Sequence, residues 1–587
     1  GRYYWVVSLS RGVELTNDGK MSGGILLVDM NFSGIQQLFT EVNNDGKGYV
    51  YLIGRDGEII YHPRQNLIFS NIIQENNQTA STYDEGVHNE EFQGEQRVVV
   101  VKTVGYTGWK IVSVVSKESL FSDLNQTRMM LGLQEEAFRY PLEVGEMFQA
   151  PEVILSYSAQ GMNQLSQNLH QCIRQHICRG KYKEQVRPVL INSWEASYFD
   201  FTGDTIYELA KAAKEVNIDM LVMDDGWFGK RDDDNSGLGD WFVNEKKLGG
   251  TLGNLIERIN DLGVKFGIWI EPEMVSEDSD LYRKHPDWAL TVPGRKPVRS
   301  RNQLVLDFSR KEVVDEIYDQ ICKVLDQGNI EYVKWDMNRS LMDIYSAATK
   351  DQGRVLHDYV LGLYDFLERL VQRYPNLLIE GCSGGGGRFD AGMMYYTPQI
   401  WCSDNTDAID RLKIQYGTSF GYPVSVVGSH VSAVPNHQTG RKTPLHTRGV
   451  VAMSGTFGYE LDLMNLSEEE KQEIREQIAE YKNYAPIIQN GLYYRLSDPR
   501  KEEICAWEFV HTDENGQSRV LLNVVMQAIH GNMTVNYIKL QGLEETAVYR
   551  EEKSGKRYSG AALMYGGMPL PVELGEYLAY QYCFVKE

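Results

Sequence analysis

Between residues 180 and 480, short apolar runs alternate with amphipathic segments of helical period. Residues 204–216 place Ile206, Leu209 and Ala213 on one helical face, and residues 311–325 follow the same period. Strands that are apolar on both faces and alternate with helices are typical of a parallel sheet. Eight such runs occur, at 188–194, 219–227, 264–273, 303–309, 331–337, 376–383, 399–404 and 423–430. This count predicts a (β/α)8 TIM barrel over residues 181–485.

The flanking segments have a different pattern. Residues 1–128 contain β-branched and aromatic runs, a tight turn at 55–57 and one amphipathic stretch at 32–42, which predict an α+β domain built on an antiparallel sheet. Residues 486–587 return to alternating strands and predict a C-terminal antiparallel β-sandwich. Residues 129–180 connect the two parts and include a helical pattern at 162–178. The whole chain is therefore predicted to be a multidomain α/β protein.

Composition narrows the classes of partner. A net charge of −22 over 587 residues argues against nucleic acid and anionic membranes, because both require a basic face. No apolar run approaches the roughly 20 residues that cross a bilayer, so we predict no membrane segment. The seven cysteines are scattered and include no C-x-x-C pair, which favours reduced thiols in a cytoplasmic protein.

Acidic side chains follow most of the predicted barrel strands. In such a barrel the functional groups lie at the C-terminal strand ends, which here carry Trp194, Glu195, Asp224, Asp225, Glu271, Glu273, Asp307, Asp336, Cys382, Asp404 and His430. A single carboxylate there is more often a helix cap. The mutual repulsion of so many buried carboxylates must be relieved by Lys334, Arg301 or a ligand.

The residue types around these acids favour a neutral sugar as the ligand. Carboxylates accept hydrogen bonds from sugar hydroxyls, and indole faces cover the apolar side of a ring. Trp194, Trp227, Trp269 and Trp401 are interleaved with the acids, and histidine is nearly absent from the strand ends. A site for a hard metal ion would need few aromatic residues, so we favour a sugar over a metal ion.

Asp336 and Asp404 are the candidate catalytic pair, because glycosidic cleavage requires two carboxyl groups that flank one bond. They end the fifth and seventh predicted strands, which places their backbones about 10 Å apart and leaves both the retaining and the inverting separation open. Lys334 lies two residues before Asp336 and so points to the same side of its strand. We expect the opposite charge of Lys334 to keep Asp336 ionised.

The ordered motifs INSWEA, MDDGWF, GIWIEPEMV, SRNQLVLDFSR, KWDMNR, EGCSGGGGRFD, IWCSDNTDAIDRLKIQYGTSF and GSHVSAVPNHQTGR resemble the α-galactosidases of glycoside hydrolase family 36. The resemblance runs from about residue 129 to the end. It implies a retaining, exo-acting enzyme that removes terminal α-linked galactose from oligosaccharides such as melibiose and raffinose. Asp336 would be the nucleophile and Asp404 the acid/base, so we expect Asp404 to titrate higher than Asp336. The resemblance implies no metal and no cofactor.

The same resemblance implies how the sugar is held. Asp224 and Asp225 would bind O4 and O6 of galactose, while Lys334 and Arg301 would bind the hydroxyls nearer the nucleophile. The remaining implied residues shape the space around O2 or line the pocket: Cys382, Gly385, Trp194, Trp269 and Trp401. Two alternatives stay open, namely an α-N-acetylgalactosaminidase on the same scaffold and a galactoside sensor that does not hydrolyse its ligand.

The N-terminal segment resembles another family. GGILLVDMNFSGIQQLF, GYVYLIGRDGEIIYHP and GYTGWKIVSVV, in this order, are similar to the PAS-like Cache sensor domains. That resemblance implies an extracytoplasmic location as the alternative to a cytoplasmic one, and no ligand can be named for residues 1–128.

The junction between the two parts departs from the pattern of the barrel family. Members of that family usually begin with a large β-sandwich, of which residues 129–180 retain only the closing remnant and the lead-in helix. The lack of this sandwich puts a homo-oligomer in doubt. The junction near 125–130 has no Gly/Ser/Pro linker. The chain is either a natural fusion or two unrelated coding pieces joined together, and we favour the second.

Overall fold

The computed structural model describes residues 6–17, 20–31, 48–117, 131–133, 138–528, 531 and 534–587, with only the backbone given for the first two ranges. Two compact units are present, one within residues 1–132 and the other within 133–587. Within the described ranges, no helix has the length and apolar character needed to cross a bilayer. All seven cysteines are free thiols.

The first unit contains a two-stranded antiparallel hairpin and a five-stranded antiparallel sheet of order β4-β3-β7-β6-β5. Its strands are β1 Val6–Asn17, β2 Lys20–Asn31, β3 Gly48–Ile53, β4 Ile59–Tyr61, β5 Gly86–Phe92, β6 Glu95–Val104 and β7 Trp109–Ser116, with helices α1 Gln65–Phe69 and α2 Asn77–Thr82. The antiparallel α+β prediction is confirmed. The predicted turn at 55–57 joins β3 to β4, where the Gly54 N–H donates to the Glu58 carbonyl at 2.8 Å.

Two features of this unit differ from or escape the sequence-based expectation. Strand β5 was not predicted, because GVHNEEF is mostly polar and exposed and has little apolar alternation to read. The helix predicted at 32–42 lies outside the described residues.

Eight parallel strands close into a barrel in the order β8-β9-β10-β13-β14-β15-β16-β17, and β17 pairs with β8. They are β8 Leu190–Asn192, β9 Met220–Met223, β10 Lys265–Ile270, β13 Ile330–Trp335, β14 Leu378–Gly381, β15 Gln399–Trp401, β16 Val427–Ser432 and β17 Thr456–Glu460. The predicted TIM barrel is confirmed. Most strand residues are buried, as expected for strands covered by helices on one side and by the barrel interior on the other.

One of the eight predicted barrel strands was wrong. Residues 303–309 contribute only β12 Leu304–Val305, which pairs antiparallel with β11 Met274–Val275 outside the barrel. Residues 303–308 are all buried, which explains the apolar pattern, but none of them pairs with a strand of the barrel. The missed barrel strand is β17. Asp336 and Asp404 therefore follow the fourth and sixth strands instead of the fifth and seventh, and one strand, β14, still lies between theirs.

Helices surround the barrel as the periodicity predicted. The second unit contains α3 Met162–Cys172, α4 Trp194–Ser197, α5 Gly203–Glu215, α6 Glu245–Leu248, α7 Leu252–Asp261, α8 Asp280–Lys284, α9 Lys311–Leu325, α10 Val355–Arg373, α11 Ala391–Tyr396, α12 Ala408–Thr418, α13 Leu445–Ala452 and α14 Glu468–Asn490. A π-helical turn, Ile173–Ile177, continues α3. Thr202 begins α5 with a capping box to Thr205. Helix α9 has the predicted bounds and buries Val313, Ile317 and Ile321.

The C-terminal region is a six-stranded antiparallel sheet of order β18-β19-β20-β25-β22-β23 with a separate ribbon of β21 and β24. The strands are β18 Leu492–Arg495, β19 Ile504–Thr512, β20 Ser518–Met526, β21 Tyr537–Ile538, β22 Val548–Glu551, β23 Arg557–Ser559, β24 Met568–Pro569 and β25 Ala579–Lys586. Along β20, Leu521 joins the barrel-side core, whereas Leu522 joins the core on the ribbon side. The second layer of the predicted sandwich is thus far smaller than the first.

Candidate active site

A cavity of about 190 Å³ opens at the carboxyl ends of the barrel strands. Its lining residues are Trp194, Glu195, Asp224, Asp225, Trp269, Arg301, Lys334, Asp336, Asn338, Trp401, Asp404, Thr406, His437, Gln438 and Glu460. Nine of the eleven site residues expected from the sequence are in this set. Cys382 and Gly385 are not, and both lie behind the lining.

Asp336 directly follows β13 and is 5% exposed. Its Oδ1 accepts from the Met337 N–H at 2.8 Å, and its Oδ2 accepts from Trp269 Nε1 at 3.1 Å and from Asn338 Nδ2 at 2.8 Å. The backbone N–H of Asp336 donates to the Ile270 carbonyl at 2.8 Å. Three donors of this kind suit an ionised carboxylate that must keep one orientation.

Lys334 shares the cavity with Asp336, as the spacing predicted, and its direct ion-pair partner is Asp224. Its Nζ lies 3.0 Å from Asp224 Oδ2, and Asp336 acts on Lys334 through its charge. Burial opposes the ammonium charge, yet Asp224, Glu460 and further anionic groups outweigh it and raise the pKa of Lys334 well above its ordinary value. The lysine therefore carries its charge into the cavity.

Asp225 is held by a buried arginine that the sequence reading missed. Arg231 Nε lies 3.0 Å from Asp225 Oδ1, and Arg231 Nη2 lies 2.8 Å from Oδ2. This bidentate pair fixes the plane of the carboxylate. Burial nevertheless raises the pKa of Asp225 above its usual range, against the effect of Arg231. The signal in the sequence was one basic residue beside the acidic run DDD, at 232–234.

Asp404 follows β15, and its side chain is suited to retain a proton. Burial is the main cause that raises the pKa of Asp404, and the charge of Asp336 raises it further, while Lys334 and Arg301 act in the opposite direction. The Gln438 Nε2 donates to the Asp404 carbonyl at 2.9 Å. The raised pKa agrees with the direction expected from the sequence.

Cys382 and Gly385 support the two acids from behind. Burial and the neighbouring Asp336 raise the pKa of the Cys382 thiol well above its ordinary value. Gly385 has φ +83°, and a Cβ there would lie 2.7 Å from Ser403 Cα and 2.8 Å from the Asp404 nitrogen. Only glycine lets this loop pack so closely on the backbone that carries Asp404.

Two further acids, Glu195 and Glu460, line the cavity, and the sequence analysis assigned neither of them a role. Glu460 ends β17, the strand that was missed, and its Oε2 lies 3.2 Å from His430 Nδ1. Glu195 Oε1 accepts from Thr406 Oγ1 at 2.8 Å and Oε2 accepts from the Ala433 N–H at 3.1 Å. Burial and the nearby Glu460 raise the pKa of Glu195 to about 8.

Three of the acids at the predicted strand ends lie outside the cavity lining. Glu273 pairs with Arg388, and Asp307 accepts from the N–H of Ser309 at 3.2 Å. Glu271 is enclosed next to Asp336. Within the described residues, no group of three or more His, Cys, Asp or Glu side chains is arranged to hold a metal ion.

Sequence profiles of three families match this chain. The Melibiase profile matches residues 147–491, the glycosyl hydrolase family 36 C-terminal domain matches 504–584, and the Cache domain matches 2–124. The Cache resemblance of the N-terminal segment is thereby confirmed.

Curated relatives carry α-galactosidase names. The chain is 64% identical over 471 residues to the bifunctional alpha-galactosidase/sucrose kinase AgaSK of Mediterraneibacter gnavus. The aligned region covers 80% of this chain and 49% of that protein. The chain is 49% identical over 461 residues to alpha-galactosidase Mel36A of Lactobacillus acidophilus, covering 78% of this chain and 62% of the relative. The chain thus spans about half to two thirds of the length of these relatives.

Solved structures share the fold, and the sequence comparison shows the family. The chain matches a variant of the GH36 alpha-galactosidase AgaA from Geobacillus stearothermophilus in complex with raffinose, with 45% identity, a TM-score of 0.76, and coverage of 84% of this chain and 66% of that one. The galactosidase domain of AgaSK matches with 60% identity, a TM-score of 0.75, and coverage of 84% of this chain and 65% of that one. Since the Melibiase profile extends over residues 147–491 of the 587, the chain belongs to the Melibiase family.

Proposed function

We propose that this chain is a retaining, exo-acting α-galactosidase in which Asp336 is the nucleophile and Asp404 the acid/base. One observation carries the proposal. Asp336 and Asp404 line the same cavity in complementary states, Asp336 held by three hydrogen-bond donors and Asp404 with a raised pKa. Glycosidic cleavage by double displacement needs this division of roles between two carboxyl groups.

The remaining lining residues supply a binding site for one galactosyl unit. Asp224 and Asp225 offer carboxylate oxygens to the O4 and O6 hydroxyls, and their orientation is set by Lys334 and Arg231 respectively. Trp194, Trp269 and Trp401 contribute apolar surface to the same cavity. In a carbohydrate site, indole rings pack against the apolar face of the sugar and carboxylates accept hydrogen bonds from its hydroxyls. This combination distinguishes a carbohydrate site from a metal site.

In the first half of the reaction, an Asp336 oxygen attacks the anomeric carbon while Asp404 protonates the departing glycosidic oxygen. The bond to the leaving group breaks, and a galactosyl ester forms on Asp336. In the second half, Asp404 removes a proton from water, the water oxygen attacks the anomeric carbon, and the ester bond to Asp336 breaks. Two inversions give net retention of configuration.

Two solved structures of relatives support a proposal for the substrate class. An AgaA variant is described in complex with raffinose, and another AgaA variant is described in complex with stachyose. We extend the proposal to oligosaccharides of this kind that end in α-linked galactose, such as melibiose and raffinose.

Hydrolysis of p-nitrophenyl α-galactoside, followed by NMR to identify the first anomer released, tests the proposal. The wild-type protein is expected to release α-galactose first, and Asp336→Asn is expected to lose turnover by about three orders of magnitude or more. Asp307→Asn is the matched control and should keep its turnover, because Asp307 is a buried acid outside the cavity lining. Full activity in Asp336→Asn, or β-galactose as the first product, would overturn the proposed mechanism.

A further inference from the structure

Two glutamates at the end of β10 are buried to the same degree but satisfied in different ways. Glu271 and Glu273 are both 0% exposed. Glu273 is paired with a cation: Arg388 Nη1 lies 2.8 Å from Oε2 and Arg388 Nη2 lies 2.8 Å from Oε1. Trp335 Nε1 also donates to Oε1 of Glu273 at 2.8 Å. A buried carboxylate with such partners is stable as an anion.

Among the residues that the structure describes, none forms such a cation pair with Glu271. Its Oε1 accepts from Gln303 Nε2 at 2.7 Å and from the Asn338 N–H, whereas its Oε2 has no hydrogen-bond partner among the described residues. The charged groups that act on it are Asp336, which repels an anion, and Arg231, which is already paired with Asp225. A buried anionic oxygen without a donor costs several kcal/mol, and a neutral carboxylic acid avoids that cost.

The contacts of Glu271 lead directly to Asp336. Glu271 holds the backbone N–H of Asn338, and the side chain of Asn338 donates to Asp336 Oδ2 at 2.8 Å. The two preceding residues, which end β10, also contact Asp336: the Trp269 indole donates to its Oδ2, and the Ile270 carbonyl accepts from its backbone N–H. The last two residues of β10 and the residue that follows it therefore hold the turn 336–338.

We propose that Glu271 is a positioning residue that works in its protonated, neutral form: it holds the turn 336–338 in place without adding a second negative charge next to Asp336. The inference rests on the proposed function, because it assigns a partner to the proposed nucleophile. Burial and the charge of Asp336 raise the pKa of Glu271 to about 8, which agrees with the geometry.

Two substitutions separate a neutral from an anionic Glu271 through kinetics. Glu271→Gln keeps an oxygen that accepts from Asn338 and Gln303 and is always neutral. We expect its kcat/KM on p-nitrophenyl α-galactoside to stay within about threefold of wild type, with the acidic limb of the pH profile unmoved. Glu271→Leu loses the acceptor and is expected to lower kcat by about 10- to 100-fold with a smaller change in KM. An acidic limb that moves to lower pH in Glu271→Gln would show that an anion had been removed, and it would overturn the inference.

Thermal unfolding tests the protonation state without substrate. A folded-state pKa of about 8 lies above the unfolded value for glutamate. The contribution of Glu271 to the free energy of unfolding is therefore fully present below the pKa of Glu271 in the unfolded chain. It is lost as the pH rises towards 8, because Glu271 ionises first in the unfolded chain. The Tm of Glu271→Gln relative to wild type should accordingly increase between pH 5 and pH 8.

Glu273→Gln is the matched control, because Glu273 has the same burial as Glu271 and lies in the same segment after β10 but has a cation partner. It should lower the Tm across that pH range, since Arg388 is left buried without its anion. If Glu271→Gln lowers the Tm as much as Glu273→Gln does, the inference fails. A wild-type protein that hydrolyses no α-galactoside would instead remove the proposed function, while the melting curves would still decide whether Glu271 is neutral.

Discussion

The indole Nε1 of Trp269 donates to Asp336 Oδ2 at 3.1 Å, although the two residues lie 67 positions apart in the sequence and belong to neighbouring barrel strands. Trp269 therefore both lines the sugar cavity and holds the carboxylate proposed to attack the sugar. A residue with two roles of this kind can be probed by removing one role and keeping the other.

Trp269→Phe removes the hydrogen bond to Asp336 and keeps an aromatic face in the cavity. A hydrogen bond to a charged group contributes about 1.5–3 kcal/mol, so kcat/KM on p-nitrophenyl α-galactoside should fall about 10- to 100-fold. The acidic limb of the pH profile should move to higher pH, because the bond favours the ionised form of Asp336. Trp241→Phe is the control, since Trp241 is buried in the same aromatic cluster but its indole N–H has no hydrogen-bond partner among the described residues. Equal losses in the two variants would contradict the assigned role of the Trp269 bond.

Lys334→Met should lower both stability and activity, because it leaves Asp224 buried without its cation. Breaking a buried pair costs about 3–5 kcal/mol, which urea denaturation at pH 7 followed by tryptophan fluorescence would measure. The double variant Lys334→Met with Asp224→Asn should regain part of that stability but none of the activity.

Lys265→Ala is the control for the lysine variant. Lys265 pairs with Glu331 at 2.6 Å, but its side chain is 44% exposed, and exposed pairs contribute at most about 1 kcal/mol. A similar loss of stability from Lys265→Ala would contradict the view that burial gives the Lys334 pair its weight.

Asp336→Asn should lower the pKa of Asp404, because the charge of Asp336 is, after burial, the largest cause that raises it. The change is measured by NMR titration of protein labelled with ¹³C at the aspartate carboxyl carbon, with the Asp404 resonance identified by its absence in Asp404→Asn. An unchanged Asp404 titration would mean that the two carboxyl groups do not interact, and the proposed pairing would then lose its support.

Gly385→Ala should reduce turnover strongly, since its Cβ would lie 2.8 Å from the nitrogen of Asp404 and 2.7 Å from Ser403 Cα. Gly384→Ala is the matched control: its φ is also positive, at +51°, but a Cβ there would meet no atom within 4 Å. Gly384→Ala should lower the free energy of unfolding only by the conformational cost of a positive φ, about 1 kcal/mol, and should keep its activity. Comparable kcat values for the two variants would argue against close packing on Asp404 as the function of Gly385.

Much of the fold was predictable from local patterns. Helix α9 has the bounds that its period of apolar residues indicated, and seven of the eight barrel strands coincide with apolar runs. The remaining error came from residues 303–309, whose side chains are buried in a connection instead of in the barrel. An apolar run reports burial, and burial alone does not distinguish a ladder strand from a covered loop.

The candidate site was predicted best where one residue type at a strand end was sufficient. Asp336 and Asp404 were identified in this way, and both line the cavity. Arg231 and Glu460 were missed for different reasons: Arg231 reaches Asp225 from within a loop, and Glu460 ends the strand that the apolar pattern did not reveal. Neither position carries a local signal that sets it apart from a surface charge.

Strand and helix positions, the acidic strand ends and the side of the strand that Lys334 and Asp336 share all follow from short-range chain geometry, because side-chain direction repeats every two residues along a strand. The partner of Lys334 does not follow from it. Asp224 lies 110 residues away in the sequence and meets Lys334 only when the barrel closes. Closure also sets which buried acid receives a cation and which must stay neutral, as Glu273 and Glu271 illustrate, since that choice depends on the residues that neighbouring strands and loops bring within hydrogen-bond distance.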